Sequence, residues 1–325
     1  MPSPFVGLEV EEDLRPDIGA FGFDLETRLS SVLALEAKAP PDAFSAETLG
    51  VERVGNAAVI GAEGLCLTIG YLITEAEDVI LTTADGRGVP GYVLGVDSAT
   101  GFGLVHALEP LGLPPLPLGD SRKLRTQERL IAAGGGGRKH ALLGQLMGRG
   151  PFAGYWEYYL EDALYVAPAH PHWSGAALMN AAGELIGVGS LRVEQRTADG
   201  EVNPLNMFVP VEVLTPILAD LARGKSATPP RPWLGVFAQE IGPHVVILDV
   251  SPRGPAAQAG LRRGDIVRAV GGASVTDLAG FYTQVWALGP PGVAVPVTIQ
   301  RGEELVRADL RSVDRTLLLR KRRLN

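Results

Sequence analysis

Between residues 31 and 209 the chain is cut into many short apolar runs by glycine, proline and charged turns, and this constrains the fold more than any other feature. The runs fall at 31–37, 54–60, 66–69, 78–83, 91–96, 103–107, 129–133, 142–147, 163–166, 185–191 and 207–209. Gly and Pro together make up 66 of the 325 residues, so punctuation of this kind is frequent throughout. Elements this short cannot form a helical bundle; they suit a sandwich or a closed barrel. Aromatic residues are only 6%, so the cores must come from Val, Leu, Ile and Ala.

Other classes drop out on simple grounds. No apolar run reaches the roughly 18 residues of a membrane span. Residues 1–26 carry seven acids and one base, where a secretory leader needs a basic stretch and then an apolar one. As the sequence stands, a cytoplasmic location is expected, or a periplasmic one if residue 1 lies within a longer precursor. The acidic stretch reads as an extended arm, tied down if Phe5, Phe21 and Phe23 find a groove. Cys66 is the only cysteine, so no intrachain disulfide or cysteine metal cluster can form, and its LCLTI context predicts a buried thiol. No metal or other cofactor is implied.

Charge is unevenly placed. Residues 1–231 carry 17 bases and 29 acids, residues 232–313 carry 7 of each, and residues 314–325 carry 5 bases and 1 acid. The bulk of the chain would repel nucleic acid, so no nucleic-acid partner is expected. Only the tail, with Arg320, Lys321, Arg322 and Arg323 after Leu317, Leu318 and Leu319, offers weak contact with an anionic surface. Four charges are too few for stable anchoring, and a solvated end tethered by the leucines is the plainer expectation.

One helix is expected over 211–223, kinked at Pro216 and stopped at Gly224. The polar, proline-rich stretch 225–231 reads as a linker. Beyond it, strands are expected at 233–239, 244–250, 266–270, 293–300 and 305–311, with helices at 255–259 and 278–288. The expected organisation is an arm (1–26), a β-rich domain (27–224), the linker, an α+β domain (232–313) and a basic tail (314–325).

Particular phrases then point to a family. Trp233-Leu234-Gly235-Val236 followed by SPRGPAAQAGLRRGDIVRAVGG at 251–272 resembles a PDZ domain. The preceding domain resembles the trypsin-like domain of the HtrA/DegP family, which carries PDZ domains in this order. The likeness rests on 55–60, Leu67-Thr68, TTADGRGVPGYVLGV at 82–96, HPHWSGAALMNAAGELIG at 170–187, and Phe208-Val209-Pro210-Val211. The resemblance implies a mainly β chain: a chymotrypsin-like pair of six-stranded antiparallel barrels, then the PDZ domain. It also implies protein quality control as the setting, and trimers or a mixed oligomer with an active paralogue.

A serine hydroxyl cuts a peptide only with a base in hydrogen-bond reach and an acid orienting that base. By resemblance, Ser174 holds the nucleophile position, followed by Gly175. In LTIGYLI, Tyr71 stands where the family has histidine. In DSATGFGL, Gly101 stands where the family has the aspartate. His172 and Trp173 replace small residues just before Ser174. A phenol with a pKa near about 10 is no general base at neutral pH. His106 is expected on a strand surface and His140 in a solvated loop after Gly134–Gly137, itself read as a flexible barrel loop. His244 falls in the PDZ domain, and His170 lies close to Ser174 only in sequence. Tyr155, Trp156, Tyr158 and Tyr159 form the one aromatic cluster, suited either to a barrel end or to an oligomer contact.

The PDZ groove looks complete. The amides around Leu234, Gly235 and Val236 can hold a terminal carboxylate, with Trp233 leading into that loop. The last side chain of a bound peptide would enter a pocket between Leu234, Val236, Phe281, Val285 and Leu288, which favours a small apolar residue. The leading expectation is a pseudoprotease that binds C-terminal peptides or unfolded segments as a scaffolding subunit, with negligible peptidase activity. The alternative is a weak or switchable serine endopeptidase with Ser174 as nucleophile and a base from elsewhere, such as His172 or a partner.

Overall fold

The computed structural model describes residues 4, 5, 7–196, 199–225 and 228–320. They form two compact units. One runs to Gly150 and resumes over Asp162–Thr228; the other joins Pro151–Glu161 to Pro229–Arg320.

The first unit contains two closed barrels. β1 (Val32–Lys38), β2 (Glu52–Gly61), β3 (Leu65–Ile69), β4 (Asp78–Thr82), β5 (Gly88–Val96) and β6 (Phe102–Ala107) close in the order β1-β2-β3-β6-β5-β4. β7 (Arg129–Ala133), β8 (Ala141–Gly154), β9 (Tyr158–Ala167), β10 (Ala177–Met179), β11 (Leu185–Arg196) and β12 (Val202–Pro210) close in the order β10-β11-β12-β9-β8-β7. The cores are aliphatic, as the sparse aromatics require: Leu33, Leu35, Leu67, Ile69 and Leu81 in one barrel, Leu130, Leu164, Val166, Leu178 and Ile186 in the other. Closure leaves no exposed strand edge within either barrel. Cys66 is buried in β3, which pushes its thiol pKa up to about 12, as expected of an inert core cysteine.

Short helices fill the connections: α1 (Leu25–Ser30), capped by the Asp24 side chain accepting from Thr27 N, α2 (Ala46–Leu49) and α3 (Gly70–Ile73). The helix expected over 211–223 is not continuous. It splits into a 3-10 turn, Val211–Val213, and a short helix α4 (Leu218–Leu221), because Pro216 between them has no N–H to donate. The acidic arm is tied down. Phe5 is buried, Val10 N donates to Lys139 O, and Phe23 packs over Gly183.

Two expectations for the loop before β8 are corrected. Gly134–Gly137 is not a loose loop: a Cβ on Gly135 would lie 2.1 Å from Ala34 N, so the loop lies tightly against β1. His140 is not solvated but 7% exposed, because the rings of Phe5 and His172 cover it at 6.1 and 5.8 Å.

In the second unit, β14 (Val236–Ile241), β15 (His244–Val250), β16 (Ile266–Val270), β18 (Ala294–Arg301) and β19 (Glu304–Arg311) form a sheet in that order, with β17 (Ala273–Ser274) beside β16. β13 (Pro232–Trp233) pairs with β20 (Val313–Asp314). Two helices pack on the sheet: α5 (Pro255–Gln258), and α6 (Leu278–Ala287), which is capped by Asp277. Leu234, Val236, Ile247, Phe281, Tyr282, Val285 and Val297 share the core, and Ala153 and Tyr159 of the hairpin tip pack against it. The aromatic cluster therefore belongs to this unit. Among the tail residues, Leu317 is 72% exposed while Leu318 and Leu319 are half-buried; Lys321, Arg322 and Arg323 lie outside the described residues. No helix among the described residues is long and apolar enough to cross a membrane.

Candidate functional site

Ser174 lies in the loop between β9 and β10, where the two barrels meet. The loop is pinned by Asn56, a buried residue in the middle of β2. Asn56 Nδ2 donates to His172 O (2.8 Å) and Ser174 O (2.9 Å), and its backbone N also donates to Ser174 O (2.8 Å). Asn56 Oδ1 accepts from Gly135 N at 2.8 Å, which brings the second barrel's glycine loop into the same clamp. Thr68 Oγ1 donates to Asn56 O from the neighbouring strand.

Tyr71 arrives from α3, directly after β3. Gly70 N donates to Gly101 O at 2.7 Å, so the turns carrying residues 71 and 101 lie side by side. Arg53, buried in β2, fixes the C-terminal end of α3 by donating to Tyr71 O (3.0 Å) and Thr74 O (2.6 Å). The Tyr71 hydroxyl then lies 2.8 Å from Ser174 Oγ and 2.6 Å from Ser190 O. A register shift in β11 between Gly189 and Leu191 accompanies that carbonyl. The phenol has one proton, and a carbonyl can only accept. Both contacts are satisfied when Tyr71 donates to Ser190 O and Ser174 donates to the phenol oxygen. Burial pushes the phenol's pKa further up, more than the contact with Ser174 draws it down. Ser174 thus points its proton at a neutral group with no tendency to take it. Among the described residues, Tyr71 is the only side chain bonded to Ser174 Oγ.

The histidines near Ser174 are otherwise engaged. His172 N donates to His170 Nδ1 (3.0 Å), so the His170 proton sits on Nε2 and is donated to His140 O (2.9 Å). Burial holds the His170 ring down to about 4, and it is neutral at pH 7. His172 Nε2 donates to Leu8 O (2.7 Å) under Phe5, whose ring centroid is 4.2 Å away. The amide two residues before Ser174, which a peptidase would aim at a developing oxyanion, is occupied by the His170 ring. At the Gly101 turn, the nearby Asp97 carboxylate is buried and accepts from Thr100 N (2.8 Å) and Thr100 Oγ1 (2.9 Å).

The second candidate site is the loop before β14. Gly235 has φ +78°, which turns successive amides toward one point. That point is occupied by the Glu157 carboxylate. Oε1 accepts from Gly235 N (2.7 Å), Val236 N (3.0 Å) and Leu234 N (3.2 Å), and Oε2 accepts from Leu234 N (3.0 Å). Burial pushes the Glu157 carboxyl up to about 7 against the pull of the three amides and of Arg315.

Against known proteins, residues 55–188 match the model of the trypsin-like peptidase domain and residues 232–311 that of the PDZ domain. The chain is a trypsin-like peptidase domain followed by one PDZ domain, with DegS, DegP-like and HtrA-type proteins among its relatives. It is 25% identical to the serine endoprotease DegS of Salmonella typhimurium over 79% of this chain and 75% of that one. It is 31% identical to the putative serine protease HhoA of Synechocystis over 69% of this chain and 61% of that one. Its fold follows the solved HtrA-type protease AlgW with decapeptide at a TM-score of 0.52, with 21% identity, covering 91% of this chain and 97% of that one. A serine endoprotease from Yersinia pestis follows at 0.51 and 21%, covering 88% and 94%.

Placed in this HtrA-type frame, Ser174, Tyr71 and Gly101 occupy one neighbourhood, with Tyr71 touching Ser174. Of the groove residues read from sequence, Leu234, Val236, Phe281 and Val285 lie within the core cluster, Trp233 is 7% exposed in β13, and Leu288 is 37% exposed just past α6. Asn56, Arg53 and Glu157 were missed. Asn56 and Glu157 were each a lone polar residue inside an apolar or aromatic run, the signal that could have found them, whereas Arg53 follows Glu52 and carried no such signal.

The Glu157 carboxyl makes a pH prediction. Docked, it binds its proton more tightly than an exposed glutamate does, so docking is fullest below the ordinary glutamate range and weakens as pH rises through about 7. Arg315 and the Tyr282 phenol both act on it electrostatically. A carboxyl-carbon NMR titration of the full chain is expected to place Glu157 near the top of all glutamates. A midpoint at or below the ordinary range would refute the burial argument.

Proposed function

We propose that this HtrA-type chain is a pseudoprotease that binds peptides or unfolded segments through its PDZ domain and acts as a scaffolding subunit. One observation carries the reading: the group 2.8 Å from Ser174 Oγ is a half-buried phenol hydrogen-bonded to Ser190 O, where proteolysis needs a proton acceptor. In a serine peptidase, loss of the nucleophile or base alone removes about 10⁶ in turnover. The neutral, engaged His170 and the His172 ring held by Leu8 O support the same reading, because neither faces the serine hydroxyl. The three convergent amides of Leu234–Val236 support the binding half of the reading. Assembly into trimers, or with an active paralogue that would cut what this chain holds, belongs to the same proposal.

The test is hydrolysis of denatured casein. The wild-type chain is expected to match its Ser174→Ala variant, and a fluorophosphonate probe is expected to leave Ser174 unlabelled. Cleavage that disappears in Ser174→Ala would overturn the proposal in favour of a working endopeptidase.

A further inference from the structure

We propose that the tip of the β8–β9 hairpin, Tyr155–Glu157, is an internal ligand of the PDZ groove, which opens when a peptide with a free C-terminal carboxylate displaces it. This rests on the proposed function in taking that groove as the working site.

The tip reproduces the two features by which a chain end would be recognised. The first is a carboxylate at the amide loop, supplied by the Glu157 side chain with contacts of 2.7–3.2 Å to Leu234 N, Gly235 N and Val236 N. The second is a main-chain carbonyl further along the edge strand: Tyr155 O accepts from Ala238 N at 2.9 Å. β14 is the outer strand of its sheet, so its outward amides are the ones an added peptide strand would use. The opposite wall of the groove also holds the tip, since the Tyr282 hydroxyl of α6 donates to Gly154 O at 2.8 Å. The Tyr155 ring lies 6.1 Å from Phe237.

The backbone is shaped for this contact. Glu157 has φ +61°, a left-handed conformation that non-glycine residues seldom adopt and that other contacts must hold in place. The segment Pro151–Glu161 packs with the PDZ elements although β8 and β9 belong to the second barrel. A competitor must therefore satisfy the same three amides and offer a strand to β14. A peptide ending in a free carboxylate does both, whereas its C-terminal amide lacks the charge.

The experiment uses the full chain and an array of peptides with varied apolar last residues, each made as the free acid and as the amide. The docked side chain occupies three amides through four hydrogen bonds, enough that removing Glu157 should tighten free-acid binding about 10- to 100-fold. Glu157→Ala is the first variant; Glu157→Gln keeps the shape, guards against misfolding, and should fall between. Amide exchange at Leu234–Val236, measured without peptide, should be slow in wild type and at least about tenfold faster in Glu157→Ala. Equal peptide affinity in wild type and both variants, or unchanged exchange, overturns the internal ligand. Faster exchange in the variant with no peptide bound by any chain supports the internal ligand and instead overturns the peptide-binding function.

Discussion

Replacing Asn56 by alanine is expected to destabilise the double barrel by about 3–5 kcal/mol, the cost of leaving buried polar groups unpaired at roughly 1–3 kcal/mol each. The side chain is fully buried and serves three groups: Gly135 N, His172 O and Ser174 O. Ser174 O keeps the backbone bond from Asn56 N, but Gly135 N and His172 O lose the partner that Asn56 supplies. For a unit of this size the loss corresponds to about 10 °C in Tm. Scanning calorimetry of the full chain would read it. Limited proteolysis should show earlier cutting within residues 168–176, because the clamp joins that loop to both barrels. Asn56→Asp should also be costly, since it turns an Nδ2 donor into an acceptor facing two carbonyls. A loss below about 1 kcal/mol in both variants would mean that the clamp is not what holds the serine loop.

The barrels were legible because a strand that faces a core on one side carries that fact in its alternation, and turns carry theirs in glycine. Runs such as 129–133 became β7 as read, and 244–250 became β15. β8 was read only as 142–147 because Gly148, Gly150 and Pro151 look like breakers. They are tolerated where the hairpin leaves the barrel and the strand no longer needs every ladder bond. The expected helix at 211–223 failed for the opposite reason: its apolar spacing was right, but one proline outweighed the periodicity.

The site was legible in its absences more than in its contacts. Resemblance to the family's motifs assigned Tyr71 and Gly101 to the base and acid positions, and the structure puts their turns side by side. What no spacing could give was the second partner of Tyr71. Ser190 O is a backbone atom, and a sequence does not say where a carbonyl points. The same holds for Glu157, whose role depends on a fold that brings residue 157 against residues 234–236. Four aromatics around one acid marked the place, yet only the tertiary structure pairs that acid with the amides.

Arg53 is expected to be the costliest single cation to remove. It is 4% exposed and donates to four groups: Gly50 O (3.1 Å), Tyr71 O (3.0 Å), Thr74 O (2.6 Å) and Ser45 Oγ (2.9 Å). Burial lowers its pKa, with the Glu75 carboxylate acting in the opposite direction, and Glu75 in turn accepts from Phe44 N and Ser45 N. Arg53→Met keeps most of the volume but strands the carbonyls at the end of α3. Leaving such acceptors without a donor costs roughly 1–3 kcal/mol each, so the loss should be about 3–5 kcal/mol. Arg53→Lys retains the charge but cannot fork to Tyr71 O, Thr74 O and Ser45 Oγ together, so it should recover only part of the loss. Urea unfolding of the full chain would rank wild type, Lys and Met in that order. In the folded variants Tyr71 loses the anchor that holds it beside Ser174, and if the chain is the pseudoprotease proposed above, fluorophosphonate labelling should stay absent. Labelling that appears in Arg53→Met would mean that Tyr71 masks a competent serine instead of standing in for a lost base.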